Sequence, residues 1–376
     1  MNIYIEADAI TYEKMSGIGH VTAELLKSYD KLMITRTDLR VIAIVPYGTK
    51  RLTQQRFPFA RVMFRSLPFS QKYINYALTR TSLPIAMDVW FGKGIYIFPN
   101  YKTWWVPFSK SVTFVHDVAF RLHPDTVNPK NLLYLNANFS RWIKRADKIA
   151  SISRASAKEF AEFYPAYANK VEIVYLGVDP SVYYPRRKSE IQQSLDIYNF
   201  PRNYFLYVGN IEPRKNLMVL LDAYKIYCDK TSDPAALILI GGDGWRNENI
   251  TQKIKELQQA GHAVYRPSGY IPDEHLPMLY SGARAVVSVS LHEGFGLTPL
   301  EADACGVPVV ISDLPVFREV LRQVPAEFVD PMDVHGIAAA LGKQTTNKPR
   351  IGKRPPVEHT WDKTALNLTA IIDRMN

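Results

Sequence analysis

Short apolar runs recur along the whole chain and are separated by segments in which apolar residues repeat every three or four positions. Apolar runs bounded by turn residues are typical of buried strands, and their alternation with helical segments predicts βαβ units with parallel sheets. The predicted strands are Ile3–Ile5, Leu39–Val45, Ile95–Phe98, Val112–Val115, Lys148–Ser151 and Val171–Val174, then Tyr204–Val208, Ala236–Ile240, Ala263–Arg266, Ala285–Val289, Val307–Ile311 and Ala326–Val329.

The segments between these strands predict amphipathic helices. They are Gly19–Tyr29, Gln71–Arg80, Lys130–Arg145, Ala155–Phe163, Lys215–Cys228, Asn249–Gln259, His275–Tyr280, Thr298–Cys305 and Val334–Leu341. The Gly-, Lys- and Pro-rich stretch Gly342–Pro356 is predicted to be a loop. A final amphipathic helix is predicted at about Trp361–Arg374, and its packing partner stays open.

A chain of 376 residues exceeds the size that one hydrophobic core usually supports. The two series of strands meet at the Pro- and Arg-rich stretch Gly177–Lys188, which is prone to turns. We therefore expect two doubly wound α/β domains, residues 1–188 and 189–359, with the helix 360–376 joined to the first. Ligands of such sheets bind outside the carboxyl ends of the strands, so the cleft between the domains is the expected site.

Composition places the chain among soluble globular proteins, with 47% hydrophobic and 22% charged residues. Its two cysteines are too few for a disulfide framework, which fits a reducing compartment. The N-terminal segment lacks the basic and apolar regions of a signal peptide, and no run of about 18 apolar residues is long enough to span a membrane. A cytoplasmic location is therefore expected.

Positive charge is concentrated in the first half of the chain. Residues 1–188 contain 27 Lys and Arg against 14 Asp and Glu, whereas the remainder is slightly acidic. Within the stretch from Arg36 to Arg80, nine basic residues and a single acid, Asp38, are interleaved with Phe57, Phe59, Phe64, Phe69, Tyr73 and Tyr76. Basic surfaces with aromatic residues suit an anionic membrane or nucleic acid. The other interpretation is a well-solvated basic face.

Two carboxylates, Glu293 and Glu301, frame a glycine-containing turn that leads into a predicted helix. Gly294 and Gly296 allow a ligand to approach main-chain N–H groups closely. Thr298, Pro299 and Glu301 resemble an N-cap, a first helical residue and the Glu of a capping box. A helix N-terminus attracts anions and a carboxylate attracts hydroxyls, so the stretch fits a ligand that carries both phosphate and sugar. The alternative is a helix cap and a solvated loop residue.

The stretch from Gly209 to Leu217 places Arg214 and Lys215 where a helix is predicted to begin. Cations at this end oppose the helix dipole, by about 0.3–1 kcal/mol each, unless an anion lies beside them. Arg binds phosphate as a fork and Lys binds it as a point charge, so the pair favours a diphosphate ligand.

Two weaker motifs follow strands in the first half. The glycines Gly17 and Gly19 precede a helix, but Thr22 stands where a complete dinucleotide fingerprint has its third glycine. His116 and Asp117 follow a predicted strand, so His116 could hydrogen-bond a sugar hydroxyl while Asp117 fixes its tautomer. Each motif is also common as a purely structural feature.

In order and spacing, these motifs resemble those of family-4 glycosyltransferases, which are retaining enzymes of GT-B fold. The resemblance covers essentially the whole chain, and its most specific part is Glu293–Val310. The matching stretches are Gly17-Ile-Gly19, His116-Asp117, Gly209-Asn-Ile-Glu-Pro-Arg-Lys-Asn216, Gly269-Tyr-Ile-Pro-Asp-Glu-His-Leu276, Leu-Tyr280-Ser-Gly-Ala283 and Glu293–Glu301.

The resemblance implies a role for each matched position. Arg214 and Lys215 would neutralise the leaving diphosphate, Glu301 would bond the ribose, and Glu293 would contact the donor sugar. His116 would meet a sugar hydroxyl, with Asp117 beside it. The remaining substrate-binding positions implied are Gly17, Gly19, Asn210, Tyr270, Ile271, Leu276, Gly294, Phe295, Gly296 and Leu297. The implied chemistry is attack by the acceptor on the face that the diphosphate leaves, with the departing phosphate helping to take the proton.

Asn210 departs from the pattern of many members, which have Arg at this position. The variant with a small polar residue followed by Ile-Glu-Pro-Arg-Lys-Asn is familiar among bacterial polysaccharide transferases, several of which use GDP-mannose. The resemblance therefore implies mannosyl transfer to a lipid-linked or polysaccharide acceptor in the synthesis of a surface glycan such as lipopolysaccharide. The basic and aromatic segment from Arg36 to Arg80 favours action at the inner face of the plasma membrane. No Asp-x-Asp motif with a metal-binding context is present, so neither a catalytic metal nor a cofactor is expected.

Two other classes remain open at this point. A GT-B enzyme of soluble substrates, such as a nucleotide-sugar epimerase or a synthase, would not need the basic and aromatic segment. A nucleic-acid-binding protein would show basic stripes and a recognisable binding motif, and the sequence contains no RNA-recognition or helix-turn-helix signature. We therefore expect no nucleic-acid partner.

Overall fold

The computed structural model describes residues 1–70, 86–344 and 357–375. The chain divides into two compact units. The first contains Met1–Val118, Lys130–Gly177 and His359–Asn376, and the second contains Ala119–Pro129 and Val178–Glu358. The sequence predicts a boundary between residues 188 and 189, whereas the second unit begins earlier and also takes up an internal segment of the first half.

Within the described residues, the first unit contains a seven-stranded parallel sheet. Its strands are β1 Asn2–Glu6, β2 Arg40–Val45, β3 Met63–Ser66, β4 Ile95–Phe98, β5 Lys110–Val115, β6 Lys148–Ser151 and β7 Val171–Ile173. Their spatial order is β3-β2-β1-β4-β5-β6-β7. The order reverses between β1 and β4, and the central strands are buried because helices cover such sheets on both faces.

The second unit has a six-stranded parallel sheet among its described residues. Its strands are β8 Tyr204–Val208, β9 Ala236–Ile240, β10 Val264–Tyr265, β11 Val286–Ser288, β12 Val309–Ser312 and β13 Ala326–Val329. The spatial order is β10-β9-β8-β11-β12-β13, the order of a dinucleotide-binding Rossmann sheet, with its reversal between β8 and β11.

The described helices connect these strands in the manner that the alternating pattern predicts. They are α1 Gly17–Leu32, α2 Lys50–Arg56, α3 Met87–Phe91, α4 Ala119–Leu122, α5 Pro129–Arg145, α6 Arg154–Phe163, α7 Lys188–Tyr198, α8 Leu217–Asp229, α9 Glu248–Gln259, α10 Leu276–Gly282, α11 Leu297–Ala304, α12 Pro315–Val320, α13 Val334–Gln344 and α14 Trp361–Asp373. The helix predicted at Gln71–Arg80 and most of the loop predicted at Gly342–Pro356 lie outside the described residues.

The C-terminal helix α14 belongs to the first unit and packs against α1. Thr369 Oγ1 lies 3.4 Å from the hydroxyl of Tyr29, and Arg36 Nη1 lies 3.0 Å from Asp373 Oδ2. The hydroxyl of Thr364 also donates to the carbonyl of Tyr175 at 2.8 Å. These contacts join the end of the chain to the domain in which it begins.

The internal segment Ala119–Pro129 belongs to the second unit through contacts on both of its halves. Trp245 Nε1 donates to the carbonyl of Thr126 at 2.9 Å, and the rings of His123 and His292 lie 5.6 Å apart. These partners follow β9 and β11, so the segment lies at the carboxyl ends of the second sheet's strands.

The basic and aromatic stretch of the first half contains a folded element, and its described aromatic residues differ in exposure. Phe64 lies on the edge strand β3 and is buried, and its ring is stacked 6.1 Å from that of Phe59, which in turn is stacked on Phe57. Phe69 is exposed, whereas Tyr73 and Tyr76 lie outside the described residues.

Among the described residues, no helix is both long enough and apolar enough to cross a membrane.

Candidate active site

The reversal of strand order in the second sheet places two loops side by side. One loop follows β8 and carries Arg214 and Lys215, and the other follows β11 and carries Glu293. Carboxyl ends of adjacent parallel strands meet at one edge of a sheet, and a reversal of order opens a crevice there. Residues that lie 79 positions apart in the chain therefore come into contact.

Glu293 is the centre of a cluster of charged residues. Its Oε1 accepts hydrogen bonds from Lys215 Nζ at 2.6 Å and from Ser290 Oγ at 2.8 Å, and its Oε2 lies 3.1 Å from Arg214 Nη1. Burial by itself would raise the pKa of Glu293, but the two cations outweigh burial and hold the pKa well below its usual range. The carboxylate is therefore ionised across the physiological range.

The guanidinium of Arg214 makes two additional contacts. Nη1 donates to the carbonyl of His292 at 2.7 Å, and Nη2 donates to Glu212 Oε1 at 2.9 Å. Glu212 is 4% exposed, so its carboxylate is buried against this cation. Glu212 lies within the Gly209–Asn216 motif, but its sequence position does not show which side chain it faces, and only the fold reveals its pairing with Arg214.

The position of the two cations relative to the helix differs from the prediction. Pro213–Lys215 forms a 3-10 turn, and α8 begins at Leu217 after Asn216, whose φ of 57° is left-handed. The side chain of Asn216 donates to the carbonyls of Val289 and Pro331, at 3.1 and 2.7 Å. The cations therefore precede the helix, and Glu293 is the carboxylate that contacts both of them.

The predicted capping box at α11 is wrong. The N-cap residue is Gly296, with φ 98°, and no side chain caps the helix. Thr298 Oγ1 instead lies 3.4 Å from the carbonyl of Val208. A Cβ at Gly296 would lie 2.5 Å from the ring of Phe317, so both the positive φ and the packing require glycine. Leu297 is the first residue of the helix, while Gly294 and Phe295 are buried before it.

Glu301 is fixed by a tyrosine instead of by its own helix terminus. The hydroxyl of the fully buried Tyr280 donates to Glu301 Oε2 at 2.7 Å. Burial, followed by the charge of Glu301, raises the pKa of Tyr280 well above its usual value, so the phenol remains a donor. The carboxylate stays half-buried and keeps acceptor capacity for a hydroxyl.

The residues expected beside the base lie between β10 and α10. Tyr270 is 57% exposed and its hydroxyl donates to Asp273 Oδ1 at 2.8 Å. Ile271 is buried, and Leu276 is the half-buried first residue of α10. Asn210 follows β8 with an exposed side chain, while its carbonyl accepts from the hydroxyl of Tyr207 at 2.8 Å.

In the first unit, Gly17 and Gly19 lie in the first turn of α1 and differ in their surroundings. Ser16 caps the helix by accepting from the N–H of Gly19 at 3.3 Å. A Cβ at Gly19 would lie 2.8 Å from the carbonyl oxygen of Ala9, so the fold itself requires a glycine there. A Cβ at Gly17 would have nothing within 4 Å.

His116 and Asp117 follow β5. The tautomer of His116 is fixed by the carbonyl of Pro99 and not, as predicted, by Asp117. His116 Nε2 lies 2.6 Å from the carbonyl of Pro99, which can only accept, so Nε2 carries the proton. Burial lowers the pKa of His116 despite that hydrogen bond and the charge of Asp117. The neutral ring therefore presents Nδ1 as an acceptor. Asp117 Oδ1 instead accepts from the hydroxyl of Tyr101 at 3.3 Å.

Residues 189–354 match the family described as glycosyl transferases group 1. O-antigen chain mannosyltransferase B of Escherichia coli is 34% identical over 234 residues, which cover 62% of this chain and 60% of the relative. The chain resembles bacterial polysaccharide mannosyltransferases. The resemblance inferred from the motifs is thereby confirmed.

A second relative is the O-antigen chain mannosyltransferase RfbU of Salmonella typhimurium, 29% identical over 237 residues, or 63% of this chain and 61% of the relative. The chain therefore spans about three fifths of the length of the curated relatives that it matches.

Solved structures extend the likeness over the full chain. HepE of Anabaena, solved in complex with UDP and glucose, has a TM-score of 0.68 at 17% identity, covering 100% of this chain and 95% of that one. A glycosyltransferase from Rickettsia africae has the same TM-score at 16% identity, covering 100% and 98%. The fold is therefore GT-B, with two Rossmann-like parallel-sheet domains, as predicted. The roles of the individual site residues stay predictions.

Proposed function

We propose that this chain is a retaining glycosyltransferase of bacterial surface-glycan synthesis. It transfers mannose from GDP-mannose to a polysaccharide or lipid-linked acceptor. The match of residues 189–354 to glycosyl transferases and the relatives that are O-antigen mannosyltransferases support this proposal. The observation that carries it is the contact of both cations, Arg214 and Lys215, with Glu293 at the strand-order reversal.

The cluster suits the charge that develops during sugar transfer. In the proposed step, the bond between the anomeric carbon and the diphosphate oxygen breaks, and an acceptor hydroxyl bonds to that carbon on the same face. The acceptor's proton passes to the departing phosphate. Lys215 and the uncapped N–H groups at the start of α11 stabilise the leaving diphosphate, and Glu293 faces the sugar as it becomes positive.

The half-buried carboxylate of Glu301 supplies the ribose contact in this proposal. A carboxylate accepts hydrogen bonds from hydroxyls, and Tyr280 fixes its orientation. Tyr270, Ile271 and Leu276 lie in the region proposed for the base. In the first unit, Nδ1 of neutral His116 is the acceptor proposed for a sugar hydroxyl, since Nε2 is bound to Pro99. No metal or other cofactor is required by this step.

An experiment with several nucleotides tests two things separately: which nucleotide-sugar is the donor, and whether the protein is a glycosyltransferase. Thermal unfolding is measured with GDP, UDP, ADP and dTDP, because a ligand at 100 times its Kd adds about 2.7 kcal/mol to the free energy of unfolding. GDP should stabilise most, and GDP-mannose should be hydrolysed slowly without an acceptor. Stabilisation by UDP instead would replace the proposed donor but keep the reaction class. If no nucleotide stabilises the protein and no nucleotide-sugar is hydrolysed, the proposed function is overturned.

We further propose that the protein acts in the cytoplasm, as a peripheral protein on the inner face of the plasma membrane. The exposed cations Lys50, Arg51 and Arg61, on and after α2, support an anionic surface as partner. A glycan or a lipid-linked intermediate at that surface would be the acceptor. If anionic vesicles do not bind the protein at low salt, a GT-B enzyme of soluble substrates becomes the better explanation.

A further inference from the structure

Arg214 and Lys215 are adjacent in the chain, but their surroundings differ. The guanidinium of Arg214 contacts the carboxylates of Glu212 and Glu293 and the carbonyl of His292, at 2.9, 3.1 and 2.7 Å. Among the described residues, Glu293 is the one carboxylate that Lys215 Nζ contacts, at 2.6 Å. The arginine is therefore fixed on several sides, and the lysine on one.

Glu212 explains why Arg214 is fixed. Its carboxylate is buried, and Arg214 is the cation with which it forms an ion pair. Movement of the guanidinium toward a ligand would leave that carboxylate in a poorly solvated place without its counter-charge, which is strongly unfavourable. The backbone of the same loop adds to this restraint, because the N–H of Leu291 donates to the carbonyl of Arg214 at 2.9 Å.

Lys215 has the opposite properties. Its ammonium ends a flexible four-carbon chain, and it shares its carboxylate with Arg214 and with the hydroxyl of Ser290. When Lys215 turns away, Glu293 keeps these two partners and does not become an isolated buried charge. The cost of moving the lysine toward an incoming phosphate is therefore small compared with the cost of moving the arginine.

We infer that Arg214 is a positioning residue, held by Glu212, that fixes the carboxylate of Glu293 and the His292 carbonyl, whereas Lys215 is the cation that binds the diphosphate. This inference rests on the proposed function. It revises the expectation that both cations contact the leaving group, and it divides the cluster into a fixed part that orients the sugar-facing carboxylate and a movable part that follows the phosphate.

The test compares affinity for GDP, which has no sugar, with the turnover of GDP-mannose hydrolysis at saturating donor. Lys215→Ala should weaken GDP binding by about tenfold or more, the effect of losing one charge-assisted hydrogen bond. Arg214→Lys and Glu212→Gln should change GDP affinity by less than about threefold and lower kcat by about tenfold or more, because Glu293 loses its orientation. A general loss of structure would not produce this split between kcat and affinity.

A double variant tests whether Glu212 and Arg214 act as one unit. Arg214→Lys combined with Glu212→Gln should lower kcat no further than either change alone, since residues that share one interaction are not additive. Arg318→Ala is the matched control, because Arg318 is an exposed arginine of the same unit that pairs with Asp313 at the surface. It should leave both quantities unchanged.

Glu293→Gln provides a second measurement if Glu212→Gln and Arg214→Lys do not fold. The amide releases Lys215 from its ion pair, so GDP should bind at least as tightly as in the wild type while kcat falls. The inference alone is overturned if Arg214→Lys or Glu212→Gln weakens GDP as much as Lys215→Ala, or if Glu293→Gln weakens it strongly. If the wild type binds no nucleoside diphosphate and hydrolyses no donor, the proposed function fails together with the inference.

Discussion

The ammonium group of Lys215 lies 2.6 Å from Oε1 of Glu293, in a contact between residues 78 positions apart in the chain. Without a bound anion, the carboxylate neutralises the lysine that is proposed to receive the diphosphate. Donor binding would therefore exchange one anionic partner of Lys215 for another.

Lys215→Ala should abolish most of the transfer activity and leave the fold intact. Loss of a charge-assisted contact to the leaving group corresponds to about 2–4 kcal/mol, or roughly 30- to 1,000-fold in rate. The measurement is kcat for donor hydrolysis, with thermal unfolding to check the fold. Lys225→Ala is the control, because it removes an exposed lysine that pairs with Asp229 on α8. It should leave kcat and the thermal unfolding temperature unchanged. Near wild-type turnover in Lys215→Ala would rule out its role at the diphosphate.

The pH dependence of stability should report the ion pairs of Glu293. Because Lys215 and Arg214 lower its folded-state pKa below the ordinary value of 4.5, its stabilising contribution is fully present above that value. The contribution is lost as the pH falls toward the folded-state pKa. Between about pH 5 and pH 2, the wild type should lose more free energy of unfolding than Glu293→Gln. Equal losses in denaturant titrations at each pH would contradict the ion pairing.

Glu301 and Tyr280 should affect nucleotide affinity as a pair. Glu301→Ala removes the carboxylate that accepts a hydrogen bond from the buried Tyr280 hydroxyl, so it should lower the free energy of unfolding by about 1–3 kcal/mol. It should also weaken GDP binding. Tyr280→Phe removes one donor and should lower stability less, while GDP affinity falls because the carboxylate loses one of the hydrogen bonds that orient it. The measurements are denaturant unfolding and calorimetric titration with GDP. Unchanged GDP affinity in Glu301→Ala would leave this carboxylate a purely structural role.

Two glycine substitutions should have opposite effects on stability. Gly296→Ala places a Cβ at positive φ and 2.5 Å from Phe317, so it should destabilise the protein by about 1–3 kcal/mol. Gly17→Ala is the matched control, because nothing lies within 4 Å of the added Cβ and the position is helical. It should be neutral or stabilise by up to about 1 kcal/mol. Equal destabilisation by both changes in urea unfolding would contradict the described geometry.

Neutralising Lys50, Arg51 and Arg61 together should weaken binding to anionic vesicles by about 1 kcal/mol per charge. Arg56 is left unchanged, because its side chain donates to the carbonyls of Tyr12 and Glu13. Hydrolysis of the donor in solution should not change. Vesicle co-sedimentation at low and high salt is the measurement, since screening beyond about 8 Å weakens surface attraction at physiological ionic strength.

The control for the vesicle experiment removes three exposed cations from the second unit, which are Arg202, Lys230 and Lys255. This variant loses the same charge but should retain most of the binding. If both triple variants lose binding equally, attraction depends on net charge and not on the surface around α2, and the proposed membrane-facing surface is wrong.

Most of the fold could be predicted because its strands are buried and its helices are amphipathic. Both properties produce recognisable patterns of apolar and polar residues in short stretches of sequence. All twelve predicted strands are present, and their ends lie within two residues of the predicted ones. The edge strand β3 was missed because it is half exposed and lies in a basic stretch, with Phe64 as its one buried aromatic residue. Helices such as α2 and α12 were missed because they are short and carry little periodic signal.

The sequence by itself indicated which loops are candidates for the active site, because Arg214, Lys215 and Glu293 follow predicted parallel strands. Only the tertiary structure decided which side chains meet. The pairing of Arg214 with Glu293, the support of Glu301 by Tyr280 and the packing of α14 on α1 depend on contacts across the fold. Local spacing suggested a capping box for Glu301, but packing against Phe317 and the φ of Gly296 decided the helix start. The local pattern of apolar residues predicts which side chains are buried. Which side chains contact each other depends on how elements that are distant in the sequence pack together.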